Sequence, residues 1–362
     1  MRRFSSYGPL NPEMNYFAPR KELIEQVYTQ LTGYNPPKEG HYLTVWASRQ
    51  TGKTWLMREV VEKIKLTKEY ETGILTLEGI KDEKNEEKFL SILVKKLNAA
   101  FDKSLPSINQ INDIPDLFTR QYFEKPVILI LDEFDALEEE WINRLTGVFR
   151  NMYITNTAES KKSTREKTYL LHGLAMIGVR AVLGIENQKG SPFNVQRSIH
   201  IPNLTFEEVE GMFQWYENES GQKVEKEVVR ALYDETLGQP GLTCWFGELL
   251  TETYNHDPKK PMTMTTFKEA YGAATHILPN NNILNLISKV NKPPYDDIVM
   301  ELFKTGEKIE FNFNDKELNY LYMNGVINQD KEGLDRYFVK FASPGSRGVP
   351  FWKTSCSTYC AA

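Results

Sequence analysis

Three cysteines in 362 residues are too few for a disulfide framework. Cys244 stands alone and Cys356 lies with Cys360 near the C-terminus, so the set is neither even in number nor spaced like paired metal ligands. A zinc site is not expected, and Cys244 reads as a small buried apolar residue. Long apolar runs are missing as well. Nowhere do about 18 apolar residues follow one another, and MRRFSSYGPL has no apolar stretch of signal-peptide length behind its arginines. The expectation is a cytoplasmic protein with no membrane contact. An excess of basic charge is also absent: 44 Lys and Arg against 49 Asp and Glu leave a net charge of -5. No global field then draws the chain to nucleic acid or anionic lipid, and any such contact has to be local. What remains is an ordinary soluble composition, long enough for two or three domains with sizeable cores.

The element pattern alternates. RKELIEQVYTQLT (20–32) places Leu23, Ile24, Val27 and Leu31 on one helical face before Gly33, Pro36, Pro37 and Gly40 break the chain. Tyr42 to Trp46 reads as a short buried strand, Thr54 to Ile64 as a helix, Gly73 to Leu77 as a strand and Glu87 to Phe101 as a helix. PVILIL (126–131) is a continuous apolar run, the mark of a strand covered on both faces. A helix through Trp141, Leu145 and Met152 follows, then strands at 174–179 and 198–201. Strands alternating with helices predict an α/β fold, a parallel sheet with helices on both faces. Between them, TNTAESKKSTREK (155–167) has no apolar period and is expected to be a mobile, solvated loop.

From Thr205 only helices are expected. Thr205 and Glu208 fit a capping box, a second helix over 224–237 stops at Gly238, and a third begins at Pro240. The segment 283–341 reads as two helices, a short strand at Ile309 to Phe313, a helix at Asp315 to Gly325 and a final hairpin, an order that suits a winged helix. The expected domains are a sheet domain over 1–204, an all-α domain over 205–280, a winged helix over 281–344 and an irregular tail over 345–362.

Ala47 to Thr54, ASRQTGKT, meets the pattern [AG]-x-x-x-x-G-K-[ST] between a strand and a helix, the context a phosphate-binding loop requires. Successive backbone N–H groups of Gln50, Thr51, Gly52, Lys53 and Thr54 would face an ATP or ADP β-phosphate at the positive end of the following helix, with Ala47, Ser48 and Arg49 as the rest of the nucleotide-binding loop. Lys53 would neutralise the β- and γ-phosphates, and the Thr54 hydroxyl would hold Mg²⁺. In LDEFDAL (131–137), Asp132 at the strand end can orient a Mg²⁺-bound water and Glu133 can act as general base on an attacking water. Asp135 could be a second acid, but it reads rather as a solvated helix N-terminus. Arg180, after the strand LAMIGV, can sense the γ-phosphate or stabilise charge in the transition state, or else pair with a surface carboxylate. His172 and His200 are expected to be structural.

ASRQTGKT, LILDEFDAL, the strand ending in Arg180, SPFNVQRSIHIPNLTFEEV and TLGQPGL occur in the order of the AAA-like ATPases of the STAND class, and the chain resembles that family over about residues 15–344. The resemblance implies a helical lid whose Gly-x-Pro motif, here Gly238, Gln239 and Pro240, sets proline against the adenine. FAPRKEL is similar to the family's motif beside the base, which makes Arg20 a nucleotide-pocket candidate. Two departures stand out: Ala47 replaces the glycine often first in the loop, and SRGVPFWKTSCSTYCAA looks unlike a folded extension.

Three functions follow. The first is a nucleotide-controlled switch that hydrolyses ATP slowly and changes conformation or assembly, with a protein partner or self-association as its output, in signalling or defence. The second is a DNA-binding ATPase that uses its winged helix. It is disfavoured because DKELNYLYMNG carries Lys316 as its only base, whereas recognition helices present several Arg, Lys, Asn or Gln. The third, a small-molecule kinase, fits poorly with Glu133 beside Asp132 and a helical domain after the sheet.

Overall fold

All five residues of β1 (Tyr42–Trp46) are buried, four of them apolar or aromatic and the fifth Thr44. In the computed structural model, residues 1–8, 10–36, 38–178, 197–304 and 308–342 are described. They fall into two compact units. The first comprises Arg20–Trp46 and Lys53–Ile201, and the second Met1–Pro19, Ala47–Gly52 and the described residues from Pro202 on.

The first unit is a five-stranded sheet in the order β2-β3-β4-β1-β5, built from β1, β2 (Glu71–Thr76), β3 (Val127–Asp132), β4 (Leu171–Gly178) and β5 (Arg197–His200). Every pairing is parallel, with Thr76 opposite Asp132 and Trp46 opposite Gly178. β3 and β4 are buried along their whole length, which is why PVILIL shows no alternation. The flanking helices are α1 (Lys21–Thr32), α2 (Lys53–Thr67), α3 (Glu86–Phe101) and α4 (Glu139–Ala158). A 3-10 helix, Ile111–Phe118, closes the core with α3 and α4, where Phe89 stacks on Trp141 at 4.2 Å.

The stretch 155–167 corrects the sequence reading. α4 runs on to Ala158, and Ser163–Glu166 form a reciprocal capping box. Thr164 and Lys167 are buried, at 1% and 5% exposure. The segment lacks an apolar period because hydrogen bonds, not apolar contacts, hold it in place.

The second unit is helical: α5 (Phe206–Ser220), α6 (Lys226–Thr236), α7 (Pro240–Glu248), α8 (Met264–His276), α9 (Asn281–Val290), α10 (Tyr295–Lys304) and α11 (Lys316–Met323), followed by the antiparallel hairpin β6 (Ile327–Glu332) and β7 (Arg336–Phe341). The Thr205 hydroxyl accepts from the Glu208 N–H and the Glu208 carboxylate accepts from the Thr205 N–H, the box expected from the sequence. Ile309 to Phe313 forms no strand: only a bridge from Glu310 to Phe338 forms there. The N-terminal segment joins this core. Phe4 packs 4.8 Å from the Phe213 ring, and Glu219 accepts from the Arg2 N–H (2.8 Å) and the Tyr16 hydroxyl (3.2 Å). Cys244 is half-buried rather than buried, although burial of its thiol pushes the pKa up to about 12. Among the described residues no helix is long and apolar enough to cross a membrane.

Between α6 and α7 the chain turns through two left-handed residues, Leu237 (φ 45°) and Gly238 (φ 67°). A Cβ at Gly238 would lie 2.0 Å from the Leu204 carbonyl oxygen, and that backbone is anchored by the Leu204 N–H donating to the Gly238 carbonyl at 2.8 Å. Neither backbone can yield without losing the bond. Gly238→Ala is expected to lower the unfolding free energy by about 2 kcal/mol or more, the sum of left-handed strain and the forced shift. A urea midpoint equal to the parent's would show that the turn relaxes freely.

Candidate functional site

At the carboxyl end of β1 the chain leaves the sheet through Ala47, which is fully buried, and returns as α2 at Lys53. Gln50 (φ 57°) and Gly52 (φ 83°) both take the left-handed conformation, and the Thr51 hydroxyl donates to the Ser48 carbonyl at 2.9 Å. Successive residues alternating into that conformation turn their N–H groups toward a common point, the form of an anion-binding nest. Ser48 is half-buried, and Arg49 and Gln50 are exposed. The positive φ of Gln50 is not apparent in the sequence, since glutamine has no preference for it.

Lys53 and Thr54 open α2, where the N-terminal N–H groups lack helical partners and favour negative charge. In the sheet unit the Thr54 hydroxyl donates to Asp132 Oδ2 at 2.7 Å. Asp132, the last residue of β3, is 7% exposed. The two residues singled out as metal ligands, 78 positions apart, thus meet. The pair suits Mg²⁺: one hydroxyl and one carboxylate form an oxygen donor set for a hard cation that keeps waters and phosphate oxygens in the rest of its shell. Among the described residues no group of three or more His, Cys, Asp or Glu forms an all-protein metal cage.

Glu133 follows in the left-handed conformation (φ 56°, ψ 39°), which turns it off the strand, and its N–H donates to Asp132 Oδ1 at 3.0 Å. Its carboxylate accepts from the Thr76 hydroxyl at 2.7 Å. Desolvation raises the Glu133 pKa above the usual carboxylate value; the nearby Glu78 and Asp132 push the same way, and the Thr76 bond pulls it down. A raised pKa brings a carboxylate closer to what a general base needs near neutral pH. Sequence reasoning misses Thr76. Its one signal is being a hydroxyl residue at the end of the strand beside β3, and that neighbour relation is set by topology.

Asp135 is half-buried with its carboxyl against the last residue of β4, since a Cβ on Gly178 would meet it at 2.6 Å. It lies in the first turn of the 3-10 helix Phe134–Ala136, as the reading of a helix N-terminus expects, but it is half-buried rather than solvated. β4 pairs with β3, as the reading of Arg180 requires, but Arg180 itself lies outside the described residues. Arg20 takes the N-cap position of α1 with φ 45° and ψ 42°. His172 is structural: its Nδ1 lies 2.8 Å from the Thr164 hydroxyl and its Nε2 3.0 Å from the Thr32 carbonyl, and burial lowers its pKa to about 4. The His200 ring lies 4.2 Å from that of Trp46.

The second unit holds the loop by its other residues. Pro240 is the first residue of α7, and the Gln239 side chain caps that helix by accepting from the Leu242 N–H (2.6 Å) while its Nε2 donates to the Arg49 carbonyl at 2.9 Å. A Cβ on Gly241 would sit 2.5 Å from Gln50 Oε1, and one on Gly325, in the turn before β6, 2.8 Å from Ser48 Cβ. Three consecutive loop residues, Ser48, Arg49 and Gln50, are thus touched by α7 and by the α11–β6 turn.

The family model of the AAA-like domain matches residues 6–245. No curated protein matches the sequence. Among solved structures, the chain is similar to the Walker-type ATPase of Pyrococcus abyssi, with 13% identity, a TM-score of 0.55 and coverage of 97% of this chain and 99% of that one. It is also similar to the ORC2 protein of Aeropyrum pernix in ADPNP and ADP complexes, with 13% identity, a TM-score of 0.52 and coverage of 96% and 97%. At such identities the likeness bears on fold, and the fold shared is that of the P-loop ATPases.

Proposed function

Because this chain belongs to the AAA-like domain family, we propose that it is an ATP-binding switch of the STAND type that hydrolyses ATP slowly and couples nucleotide state to conformation or assembly. In this reading the N–H groups of Gln50 to Thr54 face the β-phosphate within the loop that Ala47 opens, Lys53 balances the β- and γ-phosphates, and Thr54 and Asp132 would hold Mg²⁺. The bound Mg²⁺ would supply charge neutralisation on the phosphate oxygens. Glu133 would take a proton from the attacking water, and Asp132 would orient a water of the bound ion. Arg180 senses the γ-phosphate, and Arg20 and Pro240 flank the adenine. The helical domain over 205–280 serves as lid, and the winged helix over 281–344 as output element.

The observation that carries the switch reading is the triple contact on the loop: Gln239 on Arg49, Gly241 against Gln50 and Gly325 against Ser48. A nucleotide that re-sets these loop residues must also re-set what rests on them. Ligand-driven change requires differential contact of this kind. α11 carries Lys316 as its only base, and the Asp315 side chain is committed to capping it, which favours contact with protein over DNA readout.

Glu133→Gln should hold ATP without consuming it, so light scattering and hydrogen exchange can compare its ATP and ADP forms. The expected result is a larger particle, or altered protection over 202–248 and 320–327, with ATP alone. Identical mass and identical protection in both nucleotides would sink the switch reading while leaving ATP binding intact.

A further inference from the structure

At the amino ends of β1 and β4, roughly 15 Å of strand away from the carboxyl edge of the sheet where Asp132 lies, the sheet unit contains a polar cavity of about 280 Å³. Its wall includes His41, Tyr42, Asn156, Thr164, Lys167 and His172. The volume is just under the usual floor of about 300 Å³ for ligand cavities and about ninefold the share of one liquid water, so it suits a very small ligand.

Three groups in the wall are incompletely satisfied. Lys167 is 5% exposed, and its ammonium donates to the Lys38 carbonyl at 2.6 Å, which uses one of three protons. It makes no ion pair among the described residues: Glu159 is bound to Lys162 and Thr168, and Glu39 acts on Lys167 only from further off. Asn156 is 8% exposed and spends its amide donors on the carbonyls of Tyr169 (3.0 Å) and Leu171 (3.2 Å). Those bonds fix the amide's orientation and leave Oδ1 buried without a partner. His41 Nε2 is likewise buried and unpartnered. His172, by contrast, has both ring nitrogens engaged.

Buried charges are paired in folded proteins, and buried polar atoms find hydrogen bonds. Lys167 therefore calls for an anionic oxygen, while Asn156 Oδ1, which can only accept, calls for a donor. Water satisfies the acceptor but not the charge. We infer that this cavity is a binding site for a small hydroxylated anion, a species that places an anionic oxygen on the Lys167 ammonium and donates an O–H to Asn156 Oδ1. Hydrogen phosphate and a short hydroxycarboxylate share this chemistry.

The test titrates the full chain calorimetrically with sodium phosphate, glycolate and acetate, the last having the charge without the hydroxyl. Phosphate or glycolate should bind in the millimolar range or tighter, with acetate at least about tenfold weaker, the worth of one hydrogen bond to a charged or buried group. Lys167→Met should weaken binding at least about tenfold and Lys167→Arg should largely restore it, while Lys53→Ala, which removes only phosphate held by the phosphate loop, should leave the Lys167-dependent binding in place. Binding of phosphate without glycolate points to free phosphate or a phosphate ester, and the reverse to a hydroxycarboxylate. Three results overturn the inference without any variant having to fold: no heat with either anion, acetate bound as tightly as the hydroxylated anion that binds, or soaked crystals with only water in the cavity. Loss of phosphate binding in Lys53→Ala would assign that binding to the phosphate loop and overturn it as well.

Discussion

Lys53→Ala is expected to lower ATP affinity by roughly two to three orders of magnitude, because it removes the one cation that the loop sequence sets against the β- and γ-phosphates. The backbone N–H groups of the loop and the start of α2 would remain, so the residual affinity measures what they contribute alone. Neutral N–H donors hold a polyphosphate, but they do not replace a full charge brought to a partly dehydrated anion. The change should be confined to binding. Lys53 is half-buried at the head of a helix whose hold on the sheet unit comes from Trp55, Leu56, Met57, Val60, Val61 and Ile64, all buried, so the urea midpoint should stay within about 0.5 kcal/mol of the parent. Calorimetric titration with ATP and Mg²⁺ checks this, and a Kd within threefold of the parent's would place the nucleotide elsewhere.

How much of this is legible in the sequence depends on whether a residue's job is local. β1 and the start of α7 are readable to the residue, because an apolar run and a helix-opening proline state their structure in place. The Thr205 capping box is local in the same way. The failures are non-local. Ile309 to Phe313 has strand-like residues but obtains a single bridge, to Phe338. The run 155–167 resembles a solvated loop because Ser, Thr, Lys and Glu are usually solvated. Its order comes from Thr164 bonding His172 eight residues on and from Lys167 reaching the Lys38 carbonyl. The pairing of Thr54 with Asp132 follows from two motifs whose shared task is to hold one cation. That of Thr76 with Glu133 follows from no motif, since it is fixed by β2 lying at the sheet edge beside β3.

Glu133→Gln is expected to cut turnover about 10²- to 10⁴-fold, the usual worth of a positioned general base, while ATP affinity changes little. Glutamine keeps the shape and can still accept from the Thr76 hydroxyl, so a loss of turnover reports the lost proton acceptor and not a collapsed site. Thr76→Val separates positioning from basicity. Without that bond the Glu133 carboxylate loses a contact that lowers its pKa, while desolvation and the charges of Glu78 and Asp132 remain. Its pKa must then rise. Since only the ionised carboxylate accepts the proton, the acid limb of kcat/KM against pH, which reports the nucleotide-free protein, should lie above that of a free carboxylate in the parent and move further toward neutral in Thr76→Val. Glu133→Gln should show no such limb. A turnover unaltered in Glu133→Gln would hand the base to another residue. An acid limb that Thr76→Val leaves in place would mean that the threonine holds the glutamate in a resting orientation that it leaves before the chemical step.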